Sequence, residues 1–146
     1  MNYEIVTLKE KIVVGIGART GNNDPDCSNV IGGLWQKFMG DGIWEAMKNK
    51  ANTYCIGLYS DYDETSYDVT VGCEVMENGN PELTEKRIAA GQYAVFSVKG
   101  DVVKDVAQAW EKIWVMPLDR SFSGDFEEYL SNDNGVADIK IYIALK

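Results

Sequence analysis

The stretch EKRIAAGQYAVFSVKGDVVKDVAQAWEKIWVMPL (residues 85–118) decides the fold, because two periodicities follow one another in it. Its first part, 85–100, is rich in apolar and β-branched residues and predicts a strand. Its second part, 101–118, has apolar side chains at helical spacing, which predicts an amphipathic helix. The apolar face of that helix consists of Val103, Val106, Ala107, Trp110, Ile113 and Trp114. Two more strands are predicted downstream, at 124–131 and 136–146.

The first half of the chain has the same order of patterns. A helix is predicted within 27–50, where Asp and Pro residues precede apolar positions at helical spacing, and Gly40 and Gly42 are expected to break it. Its apolar positions are Ile31, Leu34, Trp35 and Phe38. Strands are predicted at 10–19, 54–62 and 67–76.

The two halves therefore look like pseudo-repeats, roughly 1–76 and 82–146, within a single domain covering 1–146. LWQKFM (34–39) aligns with AWEKIW (109–114), which places Trp35 opposite Trp110. A β-α-β-β unit used twice predicts an α+β fold with a mixed or antiparallel sheet and both helices on one face. We expect a pocket in the cleft between the two halves.

The composition excludes several classes of function. The 14 basic and 23 acidic residues give a net charge of −9, which disfavours direct nucleic acid binding and favours cationic partners. There is no histidine, and the three cysteines are scattered, so neither a metal site nor a histidine-based catalytic triad is expected. A glycine fingerprint for dinucleotides fails at Thr20, so no cofactor is expected. No signal peptide or membrane span is indicated, and we expect a cytoplasmic protein.

The segment GDFEEYLS (124–131) carries two adjacent carboxylates, Glu127 and Glu128. Successive side chains of a strand point to opposite faces, so one glutamate should face the interior and the other the solvent. A carboxylate buried among aromatic rings would have a raised pKa, and a bound cation would lower it again. The pattern alone leaves open which of the two faces inward.

The order of IAAGQYAVFSVKG, AWEKIW, FEEY and IKIYIALK in the second half resembles the GyrI-like small-molecule-binding domains, and YCIGLYSDYDE…YDVTVGCEV in the first half fits as well. These domains also serve as effector-binding domains of bacterial AraC- and MerR-type multidrug regulators. The resemblance implies a pocket for lipophilic, often cationic aromatic compounds, with Glu127 inside it and Tyr142 as its aromatic neighbour. The sequence departs from the family pattern in two ways. We expect no attached DNA-binding domain, so transcriptional control by the chain alone is not expected, and the second glutamate, Glu128, leaves open which of the two faces the pocket.

The other candidate binding residues are aromatic. Trp110 and Trp35 face the proposed cleft by symmetry, whereas Trp114 is expected to pack in the core. Tyr54 and Tyr59 flank a strand core on opposite faces, so at most one readily reaches a shared pocket.

Three functions follow as hypotheses. The first is a stand-alone binding protein for lipophilic, cationic or aromatic small molecules, with Glu127 supplying the charge. The second is a hydrolase of electrophilic natural products that uses the same glutamate as general base. The third is a module that binds a protein partner, a regulator or gyrase, through its acidic surface.

Overall fold

The computed structural model describes residues 1–146, which form three helices and eight strands. The helices are α1 (Cys27–Gly40), α2 (Ile43–Ala46) and α3 (Lys104–Trp114). The strands are β1 (Glu4–Leu8), β2 (Lys11–Thr20), β3 (Cys55–Ser60), β4 (Tyr67–Val75), β5 (Thr84–Ile88), β6 (Gly91–Asp101), β7 (Asp125–Asp133) and β8 (Val136–Ala144). None of the helices is long and apolar enough to span a membrane.

All eight strands form one antiparallel sheet in the order β1-β6-β8-β7-β3-β4-β2-β5. The β-α-β-β unit of the first half is β2-α1-β3-β4, and that of the second half is β6-α3-β7-β8. The two units meet at β3 and β7 in the centre of the sheet, and each places its strands in mirrored order outward from there. The predicted α+β fold of duplicated β-α-β-β units is confirmed, and its sheet is antiparallel rather than mixed.

The two edge strands are exchanged between the halves. The edge strand β1 of the first half pairs with β6 of the second half, whereas β5 pairs with β2. Sequence patterns missed both strands: β1 is short and largely exposed, and β5 was merged with β6 into the single predicted strand 85–100. Between β5 and β6 the chain turns at Gly91, whose φ of 148° lies outside the range favoured by other residues.

The sheet is strongly curved. Strand β1 ends at Leu8 and β2 begins at Lys11, yet the two strands are six interstrand spacings apart in the sheet order. In a flat sheet that separation would be about 29 Å. Three Cα–Cα steps span at most about 11 Å, so the edges must approach each other. Gly15 and Gly72 pair directly within this curve, and an added Cβ would lie 2.0 Å from a backbone oxygen at Gly15 and 2.2 Å at Gly72. Only glycine permits that contact.

Both faces of the sheet are covered. On the helix face, α1 and α3 each pack on their own half and form two separate core clusters, which meet near the centre of the sheet. On the other face, the curved sheet closes on a third cluster, which draws residues from β2, β3, β5, β6, β7 and β8. The predicted break in the first helix is also present, because α1 ends at Gly40 and α2 begins after Gly42.

Candidate functional site

The helices leave a cavity of about 600 Å³ between the two halves, on the helix face of the sheet. One wall is formed by the start of α1 and the opposite wall by α3, while β3, β4 and the loop between them close one side. The aromatic residues among its lining are Tyr59, Tyr62, Tyr67, Trp110, Trp114 and Phe122. A cavity of this size and composition suits a ligand of drug-like dimensions.

The aromatic rings form a continuous wall. The Tyr59 ring lies edge-on to Trp110 and to Tyr67, with centroids 5.6 Å apart in both pairs, and Trp114 lies 6.3 Å from Trp110. Trp114 is 52% exposed, so the expectation that it packs in the core is wrong. It is the last residue of α3 and lines the cavity instead.

Glu127 lies beneath this wall, at the centre of the sheet. It pairs with Gly57 of β3, which is the point where the two halves meet. An added Cβ on Gly57 would lie 3.3 Å from Trp35 Cζ2 and 3.4 Å from Glu127 Oε1. The missing side chain at Gly57 therefore makes room for both the carboxylate and the indole of Trp35.

The Glu127 carboxylate is 3% exposed and accepts three hydrogen bonds from uncharged donors. Trp110 Nε1–H donates to Oε2 at 2.6 Å, the Tyr59 hydroxyl donates to Oε2 at 3.3 Å, and the Tyr129 hydroxyl donates to Oε1 at 2.8 Å. Burial raises the pKa of Glu127, and the three donors oppose that shift. The pKa values of Tyr59 and Tyr129 are in turn raised, first by burial and then by the neighbouring carboxylate.

Asp125, two residues earlier on the same strand, is buried differently. It is fully buried, and its Oδ2 accepts from Arg120 Nη2 at 2.6 Å and from the Tyr62 hydroxyl at 2.6 Å. Asp125 therefore has a built-in cation, whereas no lysine or arginine forms an ion pair with Glu127. The site thus contains one neutralised carboxylate and one that is surrounded only by neutral dipoles.

Glu128 points to the opposite face, as strand alternation requires, but it is not solvent-exposed. It is 7% exposed because the curved sheet covers that face, so the expectation of one solvent-facing glutamate is wrong. Burial raises the pKa of Glu128, and the nearby charge of Lys11 opposes the shift.

Tyr142 lies on this opposite face and not beside Glu127. It pairs with Phe126, stacks on the ring of Phe126 with centroids 4.3 Å apart, and donates to Glu128 Oε1 at 3.3 Å. Burial raises the pKa of Tyr142, with smaller contributions from Glu128 and from the neighbouring Tyr54. Tyr54 directly precedes Cys55, the first residue of β3, so alternation places it on this side as well, and neither tyrosine lines the cavity.

The structure therefore brings together Glu127, Trp110 and Tyr59, with Trp35 next to them. The Trp35 ring contacts Tyr129 edge-on, with centroids 4.8 Å apart, and does not line the cavity. The sequence interpretation missed Tyr129 and Tyr67. Alternation along FEEY places Tyr129 on the same face as Glu127, a signal that could have found it.

The family model for the GyrI-like small molecule binding domain matches residues 1–146. Comparison with curated proteins gives no match.

Three solved structures share the fold. SAV2435 bound to tetraphenylphosphonium is 19% identical, with a TM-score of 0.85, over 100% of this chain and 94% of that one. The integron cassette protein VCH_CASS2 from the mobile metagenome of Vibrio cholerae is 25% identical, with a TM-score of 0.80, over 100% and 97%. The C-terminal domain of EcmrR is 16% identical, with a TM-score of 0.59, over 100% and 99%. Together with the family match over its whole length, the fold and the cavity between its halves identify this chain as a member of the GyrI-like small-molecule-binding domain family.

Proposed function

We propose that this protein binds lipophilic cationic or aromatic compounds, which occupy the cavity between α1 and α3. The observation that carries the proposal is Glu127, a buried carboxylate without a cationic partner, beneath an aromatic-walled cavity of about 600 Å³. Binding residues in this proposal are Glu127, Trp110 and Tyr59, and Trp35 supports them from behind. Tyr142 and Tyr54 are left out because they belong to the opposite face.

The preference for a cation follows from electrostatics. The rings of Tyr59 and Trp110 present negative π faces, and Glu127 lies directly behind them in a medium that screens charge poorly. The exposed Glu64 and Glu111 add negative charge at the cavity lining. A lipophilic cation gains from both the aromatic contacts and the unpaired carboxylate, whereas an anion of the same shape is repelled.

A relative supports the class of ligand. SAV2435 has been solved with tetraphenylphosphonium, a lipophilic cation built from four phenyl rings. We extend that class to this chain because its cavity lies between the halves of the same fold and has its own aromatic wall.

The hydrolase alternative would use Glu127 as a general base. Glu127 is 3% exposed and three donors hold its carboxylate, so a nucleophilic water molecule could reach it only after the surrounding aromatic side chains move. Binding needs no such rearrangement, and it is therefore the function that we propose.

The test compares tetraphenylphosphonium with tetraphenylborate, which has the same shape and the opposite charge. Isothermal titration calorimetry should give an affinity for the cation that is at least about tenfold higher than for the anion. The cation affinity should fall as the pH falls through the pKa of Glu127, because the protonated carboxyl no longer attracts it.

Two charge-removing variants complete the design. Glu127→Gln should weaken cation binding and flatten its pH dependence, whereas Glu111→Gln, at an exposed position on the lining, should change either property far less. Equal effects of the two variants would reject the special role of the buried carboxylate. Absence of saturable binding by either probe would reject the function itself.

A further inference from the structure

Arg120 lines the cavity and uses few of its hydrogen-bond donors. Its Nη2 donates to Asp125 Oδ2 at 2.6 Å, and its Nε–H is buried with no acceptor. A guanidinium has five N–H donors, and Arg120 uses one of them in its hydrogen bond to Asp125, so the others remain for an acceptor on a ligand. Buried donors without a partner are uncommon in folded proteins and call for an explanation.

The guanidinium is also held in place. Asp125, which anchors it, is fully buried, and its other oxygen accepts from the Ala144 amide at 2.9 Å. The Phe122 ring lies 4.3 Å from Arg120 Cζ and covers one side of the guanidinium. Besides Arg120 Nη2, Asp125 accepts from the Tyr62 hydroxyl and the Ala144 amide, and it makes no hydrogen bond with the buried Nε–H.

The positive charge of Arg120 is balanced by a neighbouring carboxylate. Arg120 and Asp125 form a buried ion pair, so the guanidinium offers hydrogen-bond donors without an excess positive charge. The acidic residues on the cavity lining, Asp63, Glu64 and Glu111, oppose a negatively charged group. An uncharged oxygen, such as a carbonyl, fits this environment better than a carboxylate or phosphate.

We propose that Arg120 forms an acceptor-binding subsite of the cavity, so that its preferred ligands combine an aromatic or cationic body with an uncharged oxygen acceptor at one end. This proposal rests on the binding function proposed above and adds a hydrogen-bond donor that recognises the other end of the ligand. The body of the ligand lies against Tyr59 and Trp110, and the oxygen accepts from Arg120. A ligand reaches this subsite by displacing the Phe122 ring, which covers one side of the guanidinium and is 54% exposed.

The test uses two cations that differ only at the proposed acceptor, (4-acetylphenyl)triphenylphosphonium and (4-isopropylphenyl)triphenylphosphonium. Calorimetry on the wild type should give at least about fivefold tighter binding of the acetyl compound, as expected for one buried hydrogen bond. Arg120→Lys keeps a cation opposite Asp125 but loses Nε and the planar group. This variant should reduce the affinity ratio of the acetyl to the isopropyl compound to below about twofold and leave binding of the isopropyl compound nearly unchanged.

Arg120→Lys is accompanied by the double variant Arg120→Met with Asp125→Asn, which removes the buried pair without leaving a lone charge. Loss of the acetyl preference in the folded variants supports the subsite. A wild-type ratio near one, with both compounds bound, overturns the subsite and leaves the binding function intact. A preference that survives in both variants overturns it as well, because another donor then holds the acetyl group. If neither compound binds the wild type, the binding function fails and the subsite with it.

Discussion

Replacing Trp110 with phenylalanine removes one hydrogen bond from a buried carboxylate while an aromatic ring remains. Trp110 Nε1–H donates to Glu127 Oε2 at 2.6 Å, the shortest of the three bonds to that carboxylate. A hydrogen bond to a charged buried group contributes about 1.5–3 kcal/mol, and the smaller ring leaves a void that costs about 1 kcal/mol or more. We expect Trp110→Phe to lower the free energy of unfolding by about 3 kcal/mol or more when Glu127 is ionised.

The loss should depend on pH in a defined direction. Burial already raises the pKa of Glu127, and losing a donor raises it further. A carboxyl with a raised folded pKa contributes stability that is fully present below its unfolded pKa and is lost as the pH rises through the folded value. The difference between wild type and variant should therefore be largest at alkaline pH and should shrink by about 1–2 kcal/mol once both carboxyls are protonated.

Urea unfolding followed by far-ultraviolet circular dichroism from pH 4 to 9 measures this, without relying on the altered tryptophan fluorescence. Trp44 provides a matched control, because its Nε1 is buried without an acceptor. Trp44→Phe removes no hydrogen bond to a carboxylate and keeps an aromatic ring beside Lys50, so it should lower the free energy of unfolding mainly through the volume difference, with no pH dependence. The reasoning is refuted if Trp110→Phe destabilises equally at all pH values, or if both variants show the same pH profile.

Four further variants give measurable outcomes. Tyr142→Phe should lower stability by about 1 kcal/mol and change tetraphenylphosphonium affinity by less than about twofold, because its partner Glu128 lies on the face away from the cavity; a large loss of affinity would restore Tyr142 to the site. Glu128→Gln should gain stability relative to wild type as the pH rises, since only the wild type must ionise a buried carboxyl there, and a flat difference between urea midpoints at pH 4 and pH 8 would contradict this. Gly15→Ala should cost about 3 kcal/mol or more, because its Cβ would meet the backbone of Val71. Gly33→Ala in α1, with nothing within 4 Å, should instead stabilise by about 0.5–1 kcal/mol in thermal unfolding, and the opposite ranking would contradict the account of the curved sheet.

The repeated pattern made the architecture predictable. The strand–helix alternation at 85–118 and its counterpart at 10–50 depend on local periodicity, and the structure places α1 and α3 at these positions. The strands β1 and β5 were missed because they are short edge strands whose pairing partners lie in the other half. Local periodicity carries no information about such an exchange.

The site was predictable only in part. Alternation along the strand correctly separates Glu127 from Glu128 onto opposite faces, but the sequence does not reveal that both faces are buried. Helices α1 and α3 cover the face with Glu127, whereas the face with Glu128 is buried by the curved sheet, in which Gly15 and Gly72, 57 positions apart, pair directly. The resemblance placed Tyr142 beside Glu127, whereas the strand register pairs Tyr142 with Phe126, whose side chain lies on the opposite face.

The exchanged edge strands make each half a template for the other. A chain cut between Glu77 and Asn78 yields two fragments, and β1 of one and β5 of the other each complete the sheet of the partner fragment. Reassembly of such fragments recreates the cavity, which has one wall from each. The topology therefore lends itself to a split reporter, in which a compound that fills the cavity acts as a molecular glue between two separately expressed pieces.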